Sequence, residues 1–445
     1  VNETPAILPR EEDSLFPILR SFFLGNAHQE RPRLLGIEYE CLRVDRQTLR
    51  AAPSLGDGGP DTILRGMVSL LEEPGGPAPI PLEESGVLSL IKVGKGSVSL
   101  EPGGQVEISF APVQRPSELV SHLDAFVSRV EELHRGSPYR CIHLGHQPIS
   151  MPTEIPLRSK PRYRIMDKKL RSAGNLGMHM MRATAGMQVT VDYRSEREAG
   201  ETLRAALITA PLVTGLFANS PWVGGKDSGY ASFRERVWWD TDSRRCAVPG
   251  KLIRTGNCLA AYIDFALEAD LWFVKRDGQL VECPGRVSFR DALASGEKLT
   301  LEDFALHATT LFPAARIRNG VEVRSADSVP PHFVPAFAAL MAGLLYDEAS
   351  REGALELHPY RCDDSINRLH EESSKNGVRG QLDDGFSVGA ACTRMVSLAR
   401  EGLGRLASKG FYPKEEAQYL DVIEDLLARS LAPADLVLEK GLESL

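Results

Sequence analysis

Strict alternation of apolar and polar positions marks several stretches of this chain as extended. Residues 34–44 carry Ile37, Tyr39 and Cys41 on one side and Glu38 and Glu40 on the other. Residues 187–193 set Met187, Val189 and Val191 against Gln188, Thr190 and Asp192, and 321–327 place Glu322 and Arg324 opposite Val321 and Val323. Successive side chains of a strand point to opposite faces, so each run predicts a half-buried strand. Two alternating runs around Pro102-Gly103-Gly104 predict a hairpin over 97–112, and Asp277-Gly278 marks the turn of another over 272–283. A short strand running into a loop is expected over 141–148.

Helical spacing governs most of the remainder. It predicts helices over 13–24, over 61–73 through Ile63, Met67, Leu70 and Leu71, and over 116–135. The last of these lines up Leu119, Leu123, Val127 and Val130, with Ser117 as its N-cap. The first part of 198–219 reads as helix, 333–349 as a buried helix and 380–442 as mostly helical, after a Pro/Gly-rich loop much earlier at 74–81. Strands separated by long helical excursions, with hairpins among them, give an α+β class. No internal repeat divides the chain, so a lead-in over 1–32 and a single domain over 33–445 with a helical C-terminal part are expected.

The acidic residues on these strands change the picture. Glu38 and Glu40 share one face, and Glu107 sits on the face of Gln105 and Ser109, with Val106, Ile108 and Phe110 behind. Glu101 precedes the hairpin turn, and Gln188 and Glu322 mark two further polar faces. Solvated faces of an antiparallel sheet would also alternate in this way. They usually carry Lys, Thr and Ser as well, whereas here single Glu residues recur with Gln and Arg. Carboxylates on one concave sheet repel unless hard cations lie between them, and Mg²⁺ or Mn²⁺ with oxygen ligands, shared with nucleotide phosphates, suits such a set. Arg324 beside Glu322 is then placed for phosphate oxygens.

Composition narrows the classes further. The chain has 445 residues, 42% hydrophobic and 25% charged, with a net charge of −8. That balance argues against a general nucleic-acid binder. No apolar run approaches membrane-spanning length, and the N-terminus lacks the basic start and apolar stretch of a secretory signal. The seven cysteines, at 41, 141, 246, 258, 283, 362 and 392, form no CxxC pair. They argue against a disulfide scaffold and favour a reducing, cytoplasmic setting. Gly224-Gly225-Lys226-Asp227-Ser228 has Asp where a phosphate loop needs Ser or Thr, and His143 and His146, spaced i, i+3 in a strand, fall on opposite faces.

With these residues in place the chain resembles the plant-type glutamate–cysteine ligase family of plants and many bacteria. The resemblance rests on SLEPGGQVEIS (99–109), RYRIM (162–166), MMRATAGMQVTVD (180–192), LFANSPW (216–222), FRERVWWDTD (233–242), FRDALA (289–294), TTLFPAARIRNGVEVRSAD (309–327) and GLLYD (343–347), in family order from about 33 to 430. It implies a glutamine synthetase-like fold: a curved, mainly antiparallel sheet flanked by helices, with the active site in its bowl. The implied reaction uses ATP to join the γ-carboxylate of L-glutamate to the amine of L-cysteine through γ-glutamyl phosphate. Homologues of the ergothioneine pathway look similar, so the resemblance does not fix the pathway.

The resemblance also implies roles. Glu38, Glu40, Glu107 and Glu322 are the implied Mg²⁺ ligands, with Glu101 a further ligand and Gln188 completing the sphere. Arg324, with Glu38 and Glu107, is expected to serve the phosphoryl chemistry, and Arg234 to clamp the carboxylate of glutamate. Arg162, Tyr163 and Arg182 are expected substrate contacts, and Trp238 and Trp239 pocket wall or core. Two departures stand out: Arg182 precedes Ala183, where several members have Arg, which on a strand would turn it to the other face, and Arg164 replaces an acid. They motivate an alternative acceptor, another small amine or amino acid, and a non-catalytic homologue is a third reading. A monomer or homodimer without nucleic-acid or membrane partners is expected.

Overall fold

The apolar faces of the alternating runs come together in one nine-stranded sheet. The computed structural model describes residues 7–25, 27, 32–53, 60–71, 77–84 and 87–444. Parts of the expected lead-in (1–6, 26 and 28–31), the end of the 61–73 helix and the loop at 74–76 lie outside them. The strands are β1 (Leu35–Asp45), β2 (Ile80–Glu84), β3 (Val87–Val93), β4 (Gly96–Leu100), β5 (Val106–Ser109), β6 (Tyr139–Ile142), β7 (Gly186–Val191), β8 (Ala315–Ile317) and β9 (Val321–Asp327). Their order is β8-β9-β7-β1-β5-β4-β3-β2, with every pairing antiparallel. β1 pairs with β5 as far as Cys41 and with β6 from Leu42 onward, so the sheet divides along its central strand.

The helices that frame the sheet are α1 (Glu12–Leu24), α2 (Pro60–Leu71), α3 (Glu118–Leu133), α4 (Pro161–Leu170), α5 (Gly177–Ala183), α6 (Glu196–Leu216), α7 (Phe233–Trp239), α8 (Val334–Tyr346), α9 (Asp363–Asn376) and α10 (Val388–Ser408). On the apolar side, α6 packs on β8 and β9, α8 on β7 and β1, and α2 on β3 and β4. Ile37, Tyr39, Val106, Ile108, Met187, Val189, Val321 and Val323 join these helices in one core, which also takes Leu15, Leu19 and Phe23 of α1. The lead-in helix therefore shares the main core. On the opposite side α4, α5 and α7 form a second, smaller core around Met166, Met180, Met181 and Val237. The carboxylate face of the sheet lies between the two.

Local chemistry departs from simple periodicity in several places. α6 continues through Pro211 to Leu216, beyond its expected first part. Its residues from Leu203 to Leu216, apart from Arg204, are buried, and that packing outweighs the backbone hydrogen bond proline removes. α3 buries Phe126 with Leu119, Leu123 and Val130, leaving Val127 partly exposed. Ser117 has helical φ and ψ and makes no cap; its hydroxyl donates to Glu416. β6 ends at Ile142, so His143 and His146 lie in the following loop and not on a strand: His143 Nδ1 meets the Tyr39 hydroxyl at 2.6 Å, and His146 stacks on His179. Gly224 and Gly225, with φ of 58° and 77°, form the turn of a small hairpin, which accounts for that glycine pair without a phosphate.

α8 and α10 cross at closest approach through Gly343 and Gly402, where a Cβ on either residue would run into the backbone carbonyl of Ala399 or Gly343. Adding a methyl at such a contact forces the helices apart. Gly343→Ala is expected to lose about 1–3 kcal/mol of stability, read by urea denaturation, and an unchanged midpoint would contradict this packing.

Candidate active site

Strand register sets the first layer of the site. Glu38 lies opposite Gln188 of β7 and Ser109 of β5, and Glu40 directly opposite Glu107. Ser99 of β4 faces Glu107 from the other side, and Arg316 of β8 faces Glu322 of β9. Like charges directly across a sheet are unfavourable, so the Glu40–Glu107 pair requires compensation nearby. The helical layer opposite supplies part of it. α4 brings Arg162 and Tyr163, α5 brings Met180 and Met181, and α7 brings Arg234 and Trp238, all lining one cavity of about 420 Å³ with Glu38, Glu40, Glu101, Glu107 and Gln188. Arg316, Arg318, Arg324 and Lys160 line it too.

The polar groups are tightly organised. Glu40 accepts from Gly186 N at 2.6 Å and from Gln188 Nε2 at 3.0 Å. Glu107 accepts from the Ser99 hydroxyl at 2.9 Å. Arg324 donates to both Gln188 Oε1 and Glu322 Oε1. Arg316 grips Glu322 with two nitrogens, Nε to Oε2 at 2.9 Å and Nη2 to Oε1 at 2.9 Å. Arg162 donates to the Thr309 hydroxyl and carbonyl at 2.8 and 3.1 Å, and Lys160 reaches the Tyr163 hydroxyl at 3.2 Å. Arg234 is 2% exposed, and its Nε and Nη1 have no hydrogen-bond partner.

Electrostatics divides the carboxylates into two sets. Burial raises Glu107 well above the usual carboxylate range, and the charges of Glu101, Glu38 and Glu40 push it further. Burial, then Glu101, lifts Glu40 to about 7 against the pull of Arg234. Glu38 is raised by burial and Glu322, and Glu101 by burial against Lys160 and Arg162. Glu322 behaves oppositely: burial alone would raise it, but Arg316 and Arg324 hold it down to about 2. One set is therefore short of positive charge and the other is saturated with it.

Not every expected residue reaches the cavity. Glu322 sits behind it, engaged by its two arginines. Arg182 lies on the last turn of helix α5, not on a strand, and pairs with Asp167 at 2.9 Å while reaching the carbonyls of Pro152 and Ile155. Arg164 is exposed on the outer side of α4. Neither departure that motivated a different acceptor lines the cavity. Trp238 forms pocket wall, and Trp239 donates to Glu235 at 3.0 Å. Arg316, Arg318 and Lys160 were not foreseen. Arg316 and Arg318 stand two apart, the same spacing that exposed Glu38 and Glu40.

The oxygen-only donor set suits a hard divalent cation. Among the described residues, no three acidic, histidine or cysteine side chains already converge as a metal cluster. The carboxylates line the cavity one by one and do not form a closed coordination sphere.

A carboxylate-and-guanidinium bowl on an antiparallel sheet defines an enzyme that handles several anionic groups together. The model of the glutamate-cysteine ligase family 2 (GCS2) matches residues 34–443, and the chain belongs to that family. It is 34% identical over 359 residues to the chloroplastic glutamate–cysteine ligase of Medicago truncatula, covering 78% of this chain and 68% of that protein. It is 32% identical over 363 residues to chloroplastic glutamate–cysteine ligase B of Oryza sativa subsp. japonica, covering 80% and 71%. The fold is shared with the glutamate–cysteine ligase of Francisella tularensis solved in complex with AMP, at a TM-score of 0.55 and 14% identity over 94% of this chain and 87% of that one.

A carboxyl raised by folding holds a proton that the unfolded chain has released, so stability falls as pH rises between the two values. For Glu40 that window runs from 4.5 to about 7. Glu322 has the opposite sign, but its window lies below 4.5. In metal-free protein, the stability of the parent relative to Glu40→Gln should therefore fall between pH 4.5 and about 7. Urea denaturation in chelator at each pH reads this, and identical slopes would contradict it.

Proposed function

We propose that this chain is an ATP-dependent ligase that joins the γ-carboxylate of L-glutamate to the amine of L-cysteine. The observation that carries this reading is the shared bowl, where under-compensated carboxylates stand beside Arg162, Arg234, Arg316, Arg318 and Arg324. A free carboxylate is a poor acylating group. In the proposed first step a γ-carboxylate oxygen attacks the terminal phosphorus of ATP, the bond to the bridging oxygen breaks, and ADP leaves. The acceptor amine then attacks the acyl carbon of γ-glutamyl phosphate, loses a proton and expels inorganic phosphate. Catalysis of both steps is positioning and charge neutralisation.

Arg234 is the proposed clamp for the substrate carboxylate, since its two unpartnered N–H groups are buried donors awaiting an acceptor. Arg324 is the proposed phosphoryl contact, aimed by Glu322 and Gln188. A second cavity of about 600 Å³ shares Glu38 with the first and is lined by Arg33, Lys95, Arg194 and Asn319. It is the proposed entry for the nucleotide, which would set the terminal phosphate at the junction of the two cavities. Mg²⁺ is the proposed ion for Glu38, Glu40, Glu101 and Glu107, and it would neutralise phosphate charge there, whereas the Gln188 carbonyl, expected to complete the sphere, already accepts from Arg324. Cysteine is the favoured acceptor because Met166, Met180, Met181 and Trp238 give the cavity a soft, polarisable wall suited to a thiol. All seven cysteines are free thiols, which supports a reducing setting.

Purified protein supplied with Mg·ATP, glutamate and a panel of amines should release ADP fastest with cysteine and yield γ-glutamylcysteine by mass. Turnover with another amine alone would overturn the acceptor. Glu38→Gln is expected to lower kcat by at least about a hundredfold with the thermal midpoint little changed. Full activity in that variant would remove Glu38 from the chemistry.

A further inference from the structure

Arg234 owes its place to a group that never faces the cavity. β9 pairs in register with β7 up to Val323↔Val189 and resumes at Ala326↔Met187, so β9 carries one extra residue there. This bulge reverses the alternation. Val321, Val323 and Ala326 all enter the apolar core, and Asp327 returns to the side of Glu322 and Arg324. Asp327 is 1% exposed and lies opposite Gly186.

Its carboxylate is fully engaged. Oδ2 accepts from Asn219 N at 2.8 Å and from the Ser220 hydroxyl at 2.7 Å, and Oδ1 accepts from the Ser232 hydroxyl at 2.9 Å. Both hydroxyls also serve the start of α7. Ser220 Oγ accepts from Arg234 N at 3.0 Å, and Ser232 Oγ caps the helix by accepting from Glu235 N at 3.2 Å. Arg234 Nη1 stands 3.9 Å from Asp327 Oδ1, close enough for charge attraction and too far for a hydrogen bond. The guanidinium lies over Gly186, where a Cβ would come within 2.6 Å of Nη2, and that nitrogen donates to Arg324 O at 3.1 Å. Asp327 thus fixes the backbone that carries Arg234 and balances its charge, while leaving Nε and Nη1 unbonded.

We propose that Asp327 is the positioning residue of the Arg234 clamp for the glutamate carboxylate, holding the guanidinium at the cavity wall through Ser220 and Ser232. This rests on the reading of Arg234 as that clamp. Because Asp327 and Arg324 belong to one strand, it also ties the glutamate end of the site to its phosphoryl end. Misplacing a charged clamp weakens substrate binding more than a phosphoryl step held by other groups.

The test is steady-state kinetics on the full chain for Asp327→Asn, Arg234→Lys and the double variant. Asp327→Asn should raise KM for glutamate roughly tenfold or more, with KM for ATP and kcat changed by less than about threefold. The double variant should be no worse than Arg234→Lys, because residues acting through one another are not additive. An unchanged glutamate KM in Asp327→Asn, beside a raised one in Arg234→Lys, overturns the inference and leaves the clamp standing. An unchanged glutamate KM in Arg234→Lys overturns the clamp and the inference with it. If Asp327→Asn does not fold, Ser220→Ala removes one link, and the same KM-only effect is expected; equal losses in both KM values and kcat would show a merely structural role and overturn it.

Discussion

Carboxylates crowded on one face of a sheet need positive charge around them. Glu40 and Glu107 stand directly opposite each other, with Glu38 and Glu101 lining the same cavity. Burial raises all four above their ordinary range, and neighbouring carboxylates push Glu38, Glu40 and Glu107 further. A fold that only had to be stable would place apolar or paired residues there. The arrangement makes physical sense when cations and anionic substrates complete it. The sheet therefore carries a dry apolar face that fastens it to α6 and α8, and a polar face whose charge balance awaits its ligands.

The arginines are sorted by the same constraint. Arg316 is committed to Glu322 by a two-nitrogen grip, and that pair in turn aims Arg324. Arg162 is held by Thr309, and Arg234 keeps two donors unbonded. Guanidinium groups suit this work because their planar forks meet carboxylates and phosphates with fixed geometry. Strand β9 links the parts: it carries Glu322 and Arg324, then through its bulge Asp327, so both ends of the cavity share one rigid element.

Much of this was legible in the sequence where periodicity held. The alternation at 34–44 placed Glu38 and Glu40 together, and the family motifs named Arg234 and Arg324. What stayed hidden has local causes. Asp327 could not be assigned a face because a bulge breaks the alternation just before it. Arg182 would turn to the other face if its segment were extended, but the segment is the end of a helix, and its guanidinium is held by Asp167 and two carbonyls. The glycines at 224 and 225, unfit for a phosphate loop because Asp227 stands where Ser or Thr is needed, form a hairpin turn. Glu322 shares its face with Arg324 as expected, yet its partner Arg316 came from a strand of three residues, too short for alternation to reveal.

In the proposed reaction the bowl activates glutamate as an acyl phosphate before any acceptor takes part. The most direct measurement incubates the protein with Mg·ATP and glutamate, without acceptor, and traps the product with hydroxylamine. Glutamate-dependent ADP release matched by γ-glutamyl hydroxamate is expected, with both lost when Mg²⁺ is withdrawn. ADP release without glutamate, or no hydroxamate from protein that turns over with an acceptor, would contradict it.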